Sequence, residues 1–115
     1  MSQSSTASDT PVLDLLAQMT AASLEASTLD AQSIALVRLA ALVASGAPAA
    51  SYALNLAAAG EVGLGAEDVR GVLTAVAPVV GTTRVVDATG RIVLALGIAI
   101  EVASAELDDD LDSDA

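Results

Sequence analysis

From Pro11 to Ala105 the chain consists largely of small and branched aliphatic residues, interrupted at short intervals by Gly or Pro. This pattern constrains the fold more than any single motif. No apolar alternation with a period of two appears, so nothing reads as a half-buried strand. The β-branched pairs Val79-Val80 and Val85-Val86 are too short for strands and are flanked by helix signals. Pro11, following Asp9-Thr10, fits a helix start with proline in the first turn. Val12, Leu15, Leu16, Met19 and Leu24 then recur at helical spacing to about Ser27. Asp30 caps a second helix whose run Ile34 to Ala44 is apolar all round except at Arg38. Such a helix is expected to be buried and central, and Gly46 ends it. Pro48 opens a third helix, which stops at Gly60 or Gly63. Leu64-Gly65-Ala66-Glu67-Asp68 opens a fourth, with acids where the helix dipole favours them. Pro78 and Gly81 close it, and Thr82 or Thr83 caps a long fifth helix to about Leu107. The expected fold is all-α: a compact bundle of about five helices forming one domain over residues 11–106, between disordered tails at 1–10 and 107–115.

The amount of apolar residue then bears on assembly. Hydrophobic residues make up 54% of the 115, and a body of roughly 95 residues cannot cover that much apolar surface by itself, because small domains bury a low fraction of their area. The longest apolar stretch, Ile92 to Ile100, is closed by Arg91 and Glu101. It is well short of the ~20 residues needed to span a bilayer. Burial between copies of the chain is the remaining outlet, so a homo-oligomer is expected. Gly90 and Gly97, with Ser104 seven further on, put small residues on one face of the fifth helix and permit close helix approach. A weak repeat at an offset of about 35 residues pairs Leu29 with Leu64, Ala31 with Ala66, Ile34 with Val69 and Gly46 with Gly81. It suits two related helical hairpins, and in a chain this rich in Ala and Val it also suits chance.

Residue types that are missing narrow the chemistry. There is no Cys, His, Trp or Phe, and Tyr52 is the sole aromatic. A thiolate nucleophile, a disulfide, a thiolate metal site and a histidine base are therefore out of reach. Net charge is -11, with four basic residues (Arg38, Arg70, Arg84 and Arg91) against fifteen acids. That balance opposes phosphate contacts to nucleic acid, and a single aromatic makes no base-stacking platform. Glu106, Asp108, Asp109, Asp110, Asp112 and Asp114 crowd the last ten positions, a self-repelling segment that reads as a solvating tail. Residues 1–10 have neither the basic nor the apolar region of a signal peptide, so a cytoplasmic location is expected. No phosphate or dinucleotide loop occurs, no metal site is expected from carboxylates on a loose tail, and no cofactor is expected.

The order of these segments carries a resemblance. Leu29-Asp30-Ala31-Gln32-Ser33 opens the helix that ends at Gly46-Ala47-Pro48. Gly63-Leu64-Gly65-Ala66-Glu67-Asp68-Val69 follows a short helix, and Ala75-Val76-Ala77-Pro78-Val79-Val80-Gly81 comes after Val72-Leu73. Over roughly residues 29 to 105 this resembles the carboxymuconolactone decarboxylase family, which includes the alkyl-hydroperoxidase D-like proteins. The resemblance implies a compact helical fold whose protomers assemble as trimers or hexamers. The redox branch of that family uses a Glu, a Cys-x-x-Cys pair and a His as a proton relay. Alignment on the second helix and Gly46 puts the Glu position on Ala35, the two Cys positions on Ala47 and Ala50, and the His position on Leu54, or on Asn55 if the third helix is shifted by one. The decarboxylase branch relies on a His proton donor, which this chain lacks.

Polar residues near those positions are Arg38 on the second helix and Ser51, Tyr52 and Asn55 on the third. Arg38 could hold a small acidic ligand with its fork of donors, with Tyr52 and Asn55 as hydrogen-bonding partners; equally, it could be satisfied by a carboxylate or by helix-terminal carbonyls. Arg84, Asp87 and Arg91 recur along the fifth helix as an ion-pair face. Two functions remain open. One is a non-peroxidase binding or structural oligomer. The other is an enzyme acting on a small carboxylate or lactone, with Arg38 as anchor and Tyr52 or Asp87 as acid or base. The lack of any group that titrates near neutrality favours the first.

Overall fold

A computed structural model describes residues 9–97, and among these there is no strand. The helices are α1 (Pro11–Ala26), α2 (Ala31–Ser45), α3 (Ala49–Glu61), α4 (Ala66–Val80) and α5, described over residues 82–97. No helix among the described residues is long and apolar enough to cross a membrane. The expectations for residues 1–8, for the end of the fifth helix, for Ser104 and for the acidic tail lie outside the described residues. The chain divides between Ala31 and Gln32 into two compact units.

The first unit carries α1, entered through Thr10 with Pro11 in its first turn. The Asp14 amide donates to the Thr10 carbonyl at 2.9 Å. No residue of α1 is buried. At its far end the Ser27 amide closes on the Ser23 carbonyl at 3.1 Å, and the Leu29 amide donates to the Ser27 hydroxyl at 3.1 Å.

The second unit packs α2 to α5 around one core. Leu39 and Val43 of α2, Tyr52 of α3, Val72 of α4, and Ala88, Ile92 and Ala95 of α5 make up its buried cluster. Val43, Tyr52 and Ala95 have no exposed surface. Partly buried Leu36, Leu42, Leu56, Val69, Leu73 and Val76 pack round it.

One expectation is corrected here. α2 is not buried on all sides. Ile34, Leu39 and Val43 form its inner stripe, whereas Ala41 and Ala44 are exposed and Val37 is 56% exposed. Alanine and valine on its outer face gave no polar contrast from which a solvent side could be read.

The turns follow from glycine. At the end of α2 the Ala47 amide donates to the Leu42 carbonyl at 3.1 Å and the Gly46 amide to the Val43 carbonyl at 3.3 Å, with Gly46 at φ +69. This is the paired closure that a left-handed residue allows at a helix end. The α3 end repeats it through Gly63, at φ +87, and Leu64. At the start of α4 the Gly65 amide donates to an Asp68 carboxylate oxygen at 2.8 Å, the reach-back half of a capping box. α4 runs through Pro78 to Val80 and stops at Gly81, φ +89 and ψ 158.

Candidate functional site

The corner where α2 passes into α3 holds the positions at which the resemblance puts the family's cysteines. Ala47 is half-buried in the turn, and Ala50 is exposed on the first turn of α3. Ala35 is half-buried on α2, and Leu54 is 74% exposed on α3. Methyl and isobutyl groups at these four places offer no nucleophile and no proton carrier.

Arg91 reaches this corner from α5. One of its guanidinium nitrogens donates to the Gly46 carbonyl at 3.2 Å and to the Ala47 carbonyl at 3.0 Å. These carbonyls belong to the end of α2, where the helix dipole favours a cation. Arg84, two turns earlier on α5, lies over the same corner: its Nη1 is 2.6 Å from where a Cβ on Gly46 would stand. The expected ion-pair ladder on α5 is thus corrected. Among the described residues Asp87 pairs with neither arginine, because Arg91 satisfies the carbonyls of a neighbouring helix end instead. The Arg70 guanidinium does form an ion pair, with Glu67 on α4.

Tyr52 is completely buried, and its hydroxyl has no hydrogen-bond partner among the described residues. Burial pushes the phenol above its ordinary value near 10, and the positive charge of Arg91 pulls it back in part. The Asn55 amide nitrogen donates to the Ser51 carbonyl of its own helix at 2.9 Å, and half-buried Arg38 on α2 already has a partner.

One cavity of the second unit lies elsewhere. It is an open groove of about 510 Å³ between the second half of α3, the turn into α4, and the faces of α4 and α5. Leu56, Leu64, Val69, Leu73, Ile92 and Leu96 give it apolar walls, with Arg70 and Thr89 as its polar side chains. Both are engaged, Arg70 with Glu67 and the Thr89 hydroxyl with the Val85 carbonyl at 2.9 Å. Arg38, Tyr52 and Asn55 do not line it. Among the described residues no cluster of acidic side chains could hold a metal ion.

The sequence reading missed the role of Arg91, which acts on carbonyls more than forty residues away with no local signal. It also missed the groove, whose walls come from three helices that look alike in sequence.

The family model described as "Carboxymuconolactone decarboxylase family" matches residues 10–92. The match takes in α1 as well as the segments that carried the resemblance, and this chain belongs to the carboxymuconolactone decarboxylase family. No curated protein and no solved structure matches it.

Proposed function

We propose that this chain is a non-peroxidase member of its family, working as a binding or structural protein in a homo-oligomer, a trimer or a hexamer, in the cytoplasm. The observation that carries this reading is that the chain has no cysteine and no histidine; the resemblance puts the relay positions on Ala35, Ala47, Ala50 and Leu54. Peroxide reduction through a thiolate needs an ionisable thiol, and no other side chain supplies one. The binding arm draws support from the apolar groove, whose walls suit a small apolar molecule and whose polar side chains are already engaged. The enzyme reading, with Arg38 as anchor for a small carboxylate or lactone, draws less support, since Arg38, Tyr52 and Asn55 do not line the groove.

The oligomer arm draws support from α5. Val86 and Val93 are each 64% exposed. They alternate along one stripe with Gly90 and Gly97, beside whose Cβ positions there is no atom within 4 Å. Another protomer is the proposed neighbour of this small-residue face.

Hydroperoxide turnover with a dithiol reductant tests the first claim: the expected result is the uncatalysed background rate, and protein-dependent turnover would overturn it. Light scattering after gel filtration tests the second, with a particle of three or six chains expected at micromolar concentration and a folded monomer refuting it. Gly97→Leu is expected to weaken assembly, and unchanged assembly would remove α5 from the interface.

A further inference from the structure

We propose that the corner where α2 passes into α3 is an oxyanion site, at which Arg84 and Arg91 together hold a tetrahedral dianion: free phosphate or the phosphate of a monoester. Every group named lies in the second unit. The site is separate from the apolar groove and from the oligomer reading.

The two guanidinium groups meet at one residue. Arg91 Nη1 donates to the Gly46 carbonyl at 3.2 Å and to the Ala47 carbonyl at 3.0 Å. Arg84 Nη1 stands 2.6 Å from where a Cβ on Gly46 would be, in space left free by the glycine. Like charges brought to one turn repel, and a neighbouring carboxylate relieves that repulsion. Asp87 is three residues from Arg84 and four from Arg91 on the same helix, within reach of either. Among the described residues neither arginine forms an ion pair with it or with any other acid. In a chain with fifteen acids and four basic residues, two converging arginines without an acid point to a counter-charge from outside the chain.

Donors remain for it. Arg91 spends Nη1 on the two carbonyls, and its Nη2 and Nε remain. Arg84 donates to no acceptor among the described residues. α3 begins at Ala49 behind Pro48 with no side-chain cap, so its dipole favours an anion beside the turn where the end of α2 takes a cation. Tyr52, one turn into α3, adds a completely buried hydroxyl with no partner among the described residues.

Charge selects the class of ligand. Guanidinium forks match the paired oxygens of phosphate, and two of them balance a dianion, where a monocarboxylate leaves one charge over. The net charge of -11 opposes anions at a distance, but salt screens that field within about 8 Å. An ion at the corner is in contact with both cations.

The test is a set of thermal melts on the full-length protein at constant ionic strength, with phosphate, glycerol phosphate or acetate replacing chloride. For a millimolar site, about 10 mM phosphate is expected to raise the wild-type Tm by at least about 3 °C. Arg84→Gln removes one guanidinium. Gly46→Asn keeps both but puts a Cβ where Arg84 lies. Each variant, read against its own melt in chloride, is expected to lose most of the rise. Arg70→Gln, which removes the partner of Glu67 on α4, is expected to keep it. A rise with both phosphates assigns the site to monoesters, a rise with phosphate alone assigns it to the free ion, and either supports the inference. No rise in wild-type protein, an undiminished rise in Arg84→Gln and Gly46→Asn, or an equal rise with acetate overturns it. None of these outcomes alters the oligomer or non-peroxidase readings.

Discussion

α2 and α4 each run for 15 residues, start about 35 positions apart, and end at a glycine of positive φ, Gly46 and Gly81. Their boundaries match, but their surroundings do not. α2 buries Ile34, Leu39 and Val43, whereas α4 buries Val72 alone. The positions on α4 that correspond to Leu39 and Val43 are Thr74 and Pro78, both exposed. Arg84 and Arg91 converge on the Gly46 turn, whereas no atom lies within 4 Å of a Cβ at Gly81. Helix length and stop signals can thus repeat without the packed face repeating, because local backbone chemistry sets the former and the partners of each helix set the latter.

The sharpest way to break this comparison is to truncate the paired positions. Leu39→Ala is expected to cost about 2–5 kcal/mol, the range for a buried leucine that leaves a cavity. Thr74→Ala, at an exposed site, should stay within about 0.5 kcal/mol. Urea denaturation measures both, and equal losses would mean that the two helices are packed equivalently.

The two glycine stops should also differ in kind. Gly81, at φ +89 and ψ 158, lies in a region open essentially to glycine, so Gly81→Ala and Gly81→Asn should each cost about 1–3 kcal/mol. Gly46, at φ +69, lies in the left-handed region that asparagine tolerates. Gly46→Asn should therefore cost under about 1 kcal/mol once the Arg84 side chain swings aside. Thermal melts of these variants beside the wild type would show whether the turns are interchangeable.

Arginine substitutions probe the same corner through its side-chain donors. Arg91→Met deprives the Gly46 and Ala47 carbonyls of a charged donor and is expected to cost about 1.5–3 kcal/mol. Exposed Arg84→Met should change stability by less than about 0.5 kcal/mol. A comparable loss from both would make Arg84 a second clamp on the turn.

The smallest expected effect at neutral pH comes from Tyr52→Phe, which removes a buried hydroxyl that has no partner among the described residues, so stability should hold or rise slightly. Its signature is at alkaline pH. Burial raises the Tyr52 pKa in the folded chain, so folding favours the neutral phenol. That contribution is complete below the unfolded value near 10 and is lost as pH rises through the higher folded value. Wild-type protein should therefore lose stability above about pH 10 more steeply than Tyr52→Phe. Identical alkaline profiles would mean that the hydroxyl ionises without opening the core.

Most element boundaries were legible because they rest on local chemistry. Pro11, Pro48, Gly46 and Gly81 mark ends through φ and a missing amide proton, and these effects are independent of tertiary contacts. Faces were harder to read. The outer side of α2 carries Val37, Ala41 and Ala44, aliphatic residues like those inside, so the pattern overstated its burial. The candidate site was legible only in part. The absence of cysteine and histidine is visible directly in the sequence, whereas the pairing of Arg91 with the end of α2 depends on how α5 crosses it. Arg38 stands out in the sequence because it interrupts an apolar run, but nothing in that run says which cation reaches the end of α2.

A protein whose only aromatic side chain has no exposed surface contains its own optical reporter. Tyrosine emission here comes from a single ring at the centre of the second unit, and α1 contributes none. Circular dichroism, in contrast, sums every helix in the chain. A melt recorded by both signals therefore compares the α2 to α5 core with the whole: coincident curves mean that α1 unfolds together with that core, and a dichroism change that precedes the emission change gives the free energy of losing α1 alone.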